Sequence, residues 1–471
     1  MELSNDIEVL GRLVTSLLTK VEELTAENTA LRAENAELRQ RLNQNSQNSS
    51  LPPSQDTFKS KPALAKKAGN KPGGQTGHSG KTLQMSTAAD HIELLLPADV
   101  CACGADLRQV EASLKERRQV FDLPQPKLAI TEYRQYQRQC PCCQAQLVGA
   151  FPDSVTNHVQ YGAGVLALCS LLNNSFHLSC SHISQLFEDL YHQPLNEATV
   201  LKANQVAYQS LQESEKAIKQ ALLDSPLVHF DETGLACGGQ THWLHTASTH
   251  RYTYLFVHAK RGLKALQSEA SLLKDFQNFS LHDCWASYFC FTATTHTLCN
   301  AHLVRELQAL IEVGSQWATQ MQALLLELYQ QTNKGQASLA DSLPYSKRYE
   351  SICASAQQEE PPPNQSGRGK PKSSKGRNLL KRLIDHQQAV LAFTKYDFVP
   401  FTNNQAERDI RPVKGKIKTA GCFPTQTGAQ HYARIQAFIS TARKQGKAAF
   451  NELKNSLAGF NFIVTDLNPA K

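Results

Sequence analysis

The sequence predicts an α/β protein in which a mixed-sheet core follows an amino-terminal coiled coil and a small zinc-finger-like domain. Three observations predict it: heptads that run unbroken to Leu42, two cysteine clusters near residues 101 and 140, and strand-like runs alternating with helical stretches beyond residue 226. At 471 residues the chain has room for roughly two to four folding units. Its 41% hydrophobic and 19% charged residues exclude a wholly disordered chain or a fibrous repeat. No run approaches the ~18 apolar residues of a membrane span, and Met1 to Asp6 lacks the basic start of a signal peptide. A soluble, cytoplasmic protein with no membrane partner is expected.

The coiled coil comes first. With Ile7 at position a, Leu10, Leu17, Leu24, Leu31 and Leu38 fall at d, and Val14, Val21, Asn28, Asn35 and Leu42 at a. β-Branched residues at a with Leu at d favour two parallel strands, and paired asparagines penalise other registers. Glu27 with Arg32 and Glu34 with Arg39 occupy g and the following e, an attractive pairing across a parallel homodimer. The alternative is an amphipathic helix packed on its own protein. The expected element is a dimerisation helix over residues 1–43.

Residues 44–90 read as a flexible linker. Polar and Pro-broken at first, they then turn basic, with six lysines against one acid between Asp56 and Lys81. The chain's modest excess of 49 Lys and Arg over 42 Asp and Glu is thus clustered. Such a tether could hold nucleic-acid phosphates by charge alone, or serve as a solvated spacer with no partner.

Cys101 and Cys103, then Cys140 and Cys143, lie on either side of a 36-residue spacer with an expected strand over Lys127 to Tyr136. Two turns with two thiolates each can complete a tetrahedral structural Zn²⁺ site. The second cluster has the usual C-x-x-C spacing, whereas the first is C-x-C, one residue short; unligated thiols are the alternative. The chain's thirteen cysteines, an odd number, suit metal ligation in a reducing compartment better than a disulfide framework. Residues 91–150 are therefore expected to be a zinc-finger-like, DNA-binding domain. Residues 151–225 read as helical, with a turn at His192 to Asn196 between two helices. That pair is either a helix-turn-helix reader of DNA or plain packing.

Beyond residue 226, Leu227 to Phe230, His242 to Ala247 and Tyr252 to His258 read as a meander of strands. A helix from Gly262 to Phe276 is expected next, and then a strand from Phe279 to His282. Asp231 and Asp283 follow the first and last of these runs, at the carboxyl ends of strands where open sheets place ligands. Glu232 is a rival to Asp231, disfavoured because successive strand side chains face opposite ways. A third acid, Glu407, falls on a helix capped by Asn403 or Asn404, with an apolar stripe of Ala406, Ile410, Val413 and Ile417. Pro412 is expected to end or kink that helix. Arg411, Lys414 and Lys418 share the helical side of Glu407, so a carboxylate ligating metal would stand beside cations that grip phosphates. A solvated basic helix is the alternative. Cys299 and His302 have C-x-x-H spacing, half of a metal site; with no second pair in view they are expected to orient a neighbouring strand and helix.

These residues, in this order, resemble the IS66 family of bacterial insertion-sequence transposases. The likeness is carried by His229-Phe230-Asp231-Glu232-Thr233, His282-Asp283-Cys284-Trp285-Ala286-Ser287-Tyr288, Cys299-Asn300-Ala301-His302 and Asn403-Asn404-Gln405-Ala406-Glu407-Arg408, with Arg118 to Pro124 before the second cysteine cluster. It runs from the heptads to Gly446. Departures are the C-x-C pair and Lys416-Ile417-Lys418-Thr419, where many relatives carry an Arg-Lys pair.

The resemblance implies an RNase H-like DDE catalytic domain over 226–445, with a helical insertion at about 314–388 and a tail over 446–471. It implies Asp231, Asp283 and Glu407 as catalytic ligands of two Mg²⁺ or Mn²⁺ ions, and Arg408, Arg411, Lys414 and Lys418 as DNA contacts. The expected partners are double-stranded DNA at element ends and target, and small accessory proteins of the same element, in a bacterial, nucleoid-associated setting. The competing readings are a non-enzymatic dimeric zinc-containing DNA-binding protein and a nuclease that hydrolyses without joining.

Overall fold

The structure, a computed structural model, describes residues 2–42, 83–332, 338–339, 342–363 and 373–460. Most of the expected linker, residues 364–372 of the expected insertion, and the tail from 461 onward lie outside the described residues. The chain divides into two units, residues 57–132 with 190–192, and the rest. No helix among the described residues is long and apolar enough to cross a membrane.

In the smaller unit Cys101 opens a tight turn: its N–H donates to the Ala105 carbonyl at 2.9 Å and its carbonyl accepts from Gly104 at 2.8 Å. Gly104 sits at φ +91°, a conformation costly for a side chain with a Cβ. The strand expected over Lys127 to Tyr136 does not form. Those residues carry no regular structure, and a strand outside a sheet is not stable.

In the larger unit α1 (Glu2–Leu42) is a single helix. Its a and d side chains Val14, Leu17, Val21, Leu24, Leu31 and Leu38 are exposed, by 47% to 58%. Pairing begins instead at β1 (Gln137–Gln139), antiparallel to β2 (Gln146–Val148) across the second cysteine turn. There Cys140 N–H reaches the Ala145 carbonyl at 2.8 Å and Gln144 N–H reaches the Cys140 carbonyl at 2.9 Å.

Four helices follow: α2 (Ala163–Asn174), α3 (Cys180–Tyr191), α4 (Glu197–Ser210) and α5 (Gln212–Leu223). Asn196 caps α4, accepting from Ala198 N–H at 2.9 Å, so the expected turn forms. α4 packs on α2, and both also pack on the carboxy-terminal helices α14 (Gln426–Lys444) and α15 (Ala449–Leu457). Ala167, Ala207, Ile435, Phe438 and Leu453 meet there.

The central sheet holds β3 (Leu227–Cys237), β4 (Gln240–Ser248), β5 (Thr253–His258), β6 (Phe279–His282) and β7 (Thr295–Leu298), in the order β5-β4-β3-β6-β7. The first three strands form an antiparallel meander; β6 and β7 run parallel to β3. β3 continues past Asp231 because the β3–β4 turn comes only at Gly238 and Gly239, both at positive φ, as a two-residue type I′ hairpin loop requires. Asp231 therefore lies within a strand and not at its end. The helix expected from Gly262 to Phe276 is only α6 (Leu263–Leu266). Successive turns replace the rest, with the Ser271 hydroxyl taking the Leu273 N–H while Leu272, Leu273 and Phe276 plug the core.

The two faces of the sheet are covered differently. Val228, Phe230, Tyr254 and Phe256 pack with α5 and the turns after α6. Leu235, Leu244, Leu255 and Val257 pack against α13 (Asn404–Ala420) and α14. α13 runs straight through Pro412, whose missing N–H leaves only the Arg408 carbonyl without its helical donor. The insertion comprises α7 (Asn300–Ile311), α8 (Gln316–Gln331), α9 (Leu343–Glu359), α10 (Lys375–Asp385), α11 (Gln387–Val390) and α12 (Ala392–Lys395). These helices share a core of their own around Trp317, Leu324, Leu328, Tyr349 and Leu380.

Candidate functional site

Two adjacent parallel strands bring the first two acids level. His229 on β3 pairs with Leu281 on β6, and Asp231 and Asp283 each stand two residues further along. Asp231 shares its face of β3 with His229 and Leu235, the face covered by α13. Its Oδ1 accepts the Glu232 N–H at 2.9 Å, and Asp283 Oδ1 accepts the Trp285 N–H at 3.1 Å. Burial, and then the Glu232 and Asp283 carboxylates, push the Asp231 carboxyl up to about 8. A buried carboxyl raised in this way beside a second carboxylate is a donor set suited to a divalent cation, which would replace the proton.

Glu232 points the other way and is already engaged. Its Oε1 accepts from Arg261 Nε at 2.9 Å and Nη2 at 2.7 Å, and its Oε2 accepts from the Tyr288 hydroxyl. Arg261 in turn lies over the rings of Trp243 and Trp285. Glu232 thus anchors an aromatic cage behind the sheet, and its carboxylate is not free to move to a metal.

Glu407 arrives from the first turn of α13, where the helix dipole favours a negative charge. It does so beside Cys299, just after β7, and His302, in the first turn of α7. Ligand atoms of Cys299, His302 and Glu407 all lie within 4.8 Å of one another. Burial opposes the His302 imidazolium, but Cys299 and Glu407 outweigh it and carry the pKa up to about 9; His302 in turn acts electrostatically on Asp231. Asp231 with Asp283 and Glu407 with His302 are therefore two linked halves of one acidic region. Sequence spacing alone left Cys299 and His302 without a further ligand; the fold supplies Glu407.

Asn403 ties these halves together. It stands at the N-cap of α13 yet makes no side-chain cap. Its Nδ2 donates to the Phe230 carbonyl at 2.8 Å and its Oδ1 accepts from His229 Nδ1 at 2.8 Å. Because Oδ1 can only accept, the His229 proton sits on Nδ1; burial holds that ring neutral, with its pKa lowered to about 4. The Asn403 N–H also donates to Cys299 Sγ at 3.1 Å. One residue so joins the Asp231 strand, the Cys299 turn and the Glu407 helix.

A second tie holds α13 from its far side. Lys444 Nζ donates to Asp409 Oδ2 at 2.6 Å, the Thr249 and Tyr252 carbonyls at 2.8 and 3.0 Å, and Thr253 Oγ1 at 2.7 Å. Local sequence marked neither tie. Paired asparagines before a helix signal a cap, and nothing nearby indicates a partner 174 residues away.

Of the expected DNA contacts, Arg408, Arg411 and Lys418 are exposed on α13 and Lys414 is half-buried. Arg411 Nη2 lies 3.8 Å from Glu407 Oε2. The four expected zinc ligands divide between the units, Cys101 and Cys103 in the smaller, Cys140 and Cys143 in the larger. Each pair shares a tight turn in which hydrogen bonds from its companion cysteine lower the thiol pKa of Cys101 and Cys140, as thiolate ligation favours.

Comparison with known proteins gives a family for the chain. A family model described as Transposase IS66 family matches residues 158–431, more than half of the chain, and takes in Asp231, Asp283, Cys299, His302 and Glu407. A model of a family of unknown function (DUF6444) matches residues 6–84. No curated protein matches the chain.

Proposed function

The chain belongs to the IS66 transposase family, and we propose that it is a DDE transposase that cuts element ends and joins them to target DNA. The observation that supports this reading is the alignment of Asp231 and Asp283 on neighbouring parallel strands, with Glu407 on α13 beside His302, a residue that acts electrostatically on Asp231. An antiparallel three-strand meander extended by two parallel strands supports an RNase H-like core.

In this mechanism Asp231, Asp283 and Glu407 would hold two divalent ions, Asp231 contributing to both and the other two acids to one each. Two such ions, when bound, would stabilise both the attacking and the leaving oxygen of an in-line displacement at phosphorus. Water attacks first and frees a 3′-hydroxyl; that hydroxyl then attacks target DNA, so no covalent bond to the protein forms. The exposed face of α13, with Arg408, Arg411 and Lys418 and the flanking Lys414, holds the phosphate backbone beside Glu407. The cysteine turns bind structural zinc in a DNA-binding region, and α1 pairs in parallel with a second copy through its exposed a and d residues. Glu232 keeps its tie to Arg261 and takes no metal.

The test uses the full chain with labelled element-end DNA, with and without Mg²⁺ or Mn²⁺. Asp231→Asn is expected to bind the ends but to lose cleavage and joining by at least about a thousandfold, the order expected when ~4 kcal/mol of transition-state stabilisation is lost. Cleavage by that variant at near wild-type rate would refute the assignment. Wild-type binding with no metal-dependent cleavage would favour a non-enzymatic DNA-binding protein, and cleavage without joining a nuclease.

A further inference from the structure

Cys299, His302 and Glu407 make a donor set of a different chemical kind from the two aspartates. One soft thiolate, one imidazole and one carboxylate are the ligands of borderline-soft cations, whereas Mg²⁺ takes oxygen. We propose that these three side chains form a separate zinc site, sharing Glu407 with the hard-cation centre. It rests on the functional reading above only through that shared carboxylate, and the zinc site stands if the transposase mechanism fails.

Four observations carry the site. Its ligand atoms converge within 4.8 Å, close to the roughly 3.3–3.8 Å between ligands that Zn–N, Zn–O and Zn–S bonds of ~2.0–2.3 Å set in a tetrahedron. His302 Nδ1 is buried and has no hydrogen-bond partner among the described residues. The Cys299 sulfur, in a residue only 1% exposed, accepts the Asn403 N–H at 3.1 Å, which fixes its position. The Glu407 carboxylate pairs with Arg411 only at the long distance of 3.8 Å.

The frame is also rigid. Cys299 N–H donates to the His282 carbonyl at 3.0 Å, and Asn300 N–H donates to the Phe401 carbonyl at 3.0 Å. The Asn300 side chain donates to the Val390 carbonyl at 3.0 Å. A thiolate and a carboxylate neutralise a divalent ion exactly in formal charge, which makes its burial tolerable. Three protein ligands leave the fourth position open, as in zinc sites that also hold water or a substrate oxygen.

Zinc content of the full-length chain tests this, once Cys101, Cys103, Cys140, Cys142 and Cys143 are all replaced by Ser to remove the turn cysteines. After equilibration with Zn²⁺ and gel filtration, about one zinc per chain should remain, and Co²⁺ should give a charge-transfer band of a single thiolate. Adding Cys299→Ala should remove both signals while circular dichroism and the melting curve stay those of the parent. If that variant unfolds, His302→Gln serves the same purpose, keeping the cobalt–sulfur contact but weakening retention at least about tenfold. The absence of zinc from the five-Ser chain, or its undiminished retention after loss of Cys299 or His302, overturns the proposal. Asp231→Asn separates the two readings: it should abolish cleavage and leave the zinc in place.

Discussion

Around the central sheet, polar side chains are committed to protein partners across long stretches of sequence; between residues 91 and 132 apolar side chains stand in solvent. Glu232, Asn403, Asp409 and Lys444 each have two or more partners at hydrogen-bond distance. Leu95, Val120, Leu123 and Ile130 are 90% to 92% exposed. Burying such side chains is worth ~1.5–3 kcal/mol each. The first region is therefore stabilised by its own chain, whereas these apolar side chains of the second are left uncovered by it. The difference teaches that long-range polar ties hold the residues of the acidic site in place, while residues 91–132 gain little from burial of their apolar side chains.

The largest effect that would break this contrast lies at Lys444. Lys444→Met removes one partner of a buried ion pair and strands Asp409, so the chain should lose about 3–5 kcal/mol in denaturant unfolding. A loss below about 1 kcal/mol would mean that α13 is not held by this tie, and that preorganisation has another source.

Asn403→Ala comes next. It leaves the Phe230 carbonyl and His229 Nδ1 unpaired in the core, at about 1–3 kcal/mol. Because Asn403 connects the strand of Asp231 to the helix of Glu407, cleavage should fall further than stability does, with the Mg²⁺ concentration for half-maximal rate moving upward. Asn403→Asp, which keeps the acceptor for His229 but loses the donor to Phe230, should recover part of the stability and little of the activity. An unchanged Mg²⁺ requirement in both variants would reduce Asn403 to a packing residue.

How far the sequence reveals these arrangements depends on the range of the interaction. Alternating and apolar runs placed β4, β5 and β6 within about two residues, because strand pattern is local. The same reasoning failed for Gly262 to Phe276, where apolar residues at helix-compatible spacing plug a core from a series of serine-bonded turns. It also stopped β3 at Asp231, since an acid after an apolar run looks like a strand end; the hairpin glycines at 238 and 239 were the signal that it continues. The C-x-x-H pair at Cys299 and His302 was visible, but its third neighbour lies more than a hundred residues on and is set by the packing of α13 against β3. No local pattern carries that information, and none marks Lys444 as the partner of Asp409.

The acidic site also makes the contrast readable by pH. The Asp231 carboxyl titrates near 8 when folded and near ~3.9 when unfolded, so the unfolded chain releases this proton first. Its contribution to stability is complete below about pH 4 and is lost as pH rises toward 8, at up to ~1.4 kcal/mol per pH unit, or roughly 2–4 °C in Tm. The His302 imidazolium adds a loss of the same sign between its ordinary 6.5 and about 9. Saturating Mg²⁺ should flatten the Asp231 part by replacing the proton, and Asp231→Asn should remove it without Mg²⁺. A Tm that does not fall between pH 5 and 8 in metal-free buffer would show that the two aspartates are not crowded in solution.

The smallest expected effect is the sharpest statement about the other region. Leu123→Ser exchanges an aliphatic side chain for a polar one in the middle of an Arg118 to Pro124 segment that is extended and exposed. In a chain without DNA the melting curve should stay within about 0.5 kcal/mol of wild type, as for a surface substitution. In complex with element-end DNA, or after zinc loading, the same change should weaken the complex or the loaded form, because that is where the leucine would find cover. A clear loss of stability in the free protein would instead mean that Leu123 is already buried against its own chain, and the amino-terminal third would then be as self-sufficient as the sheet.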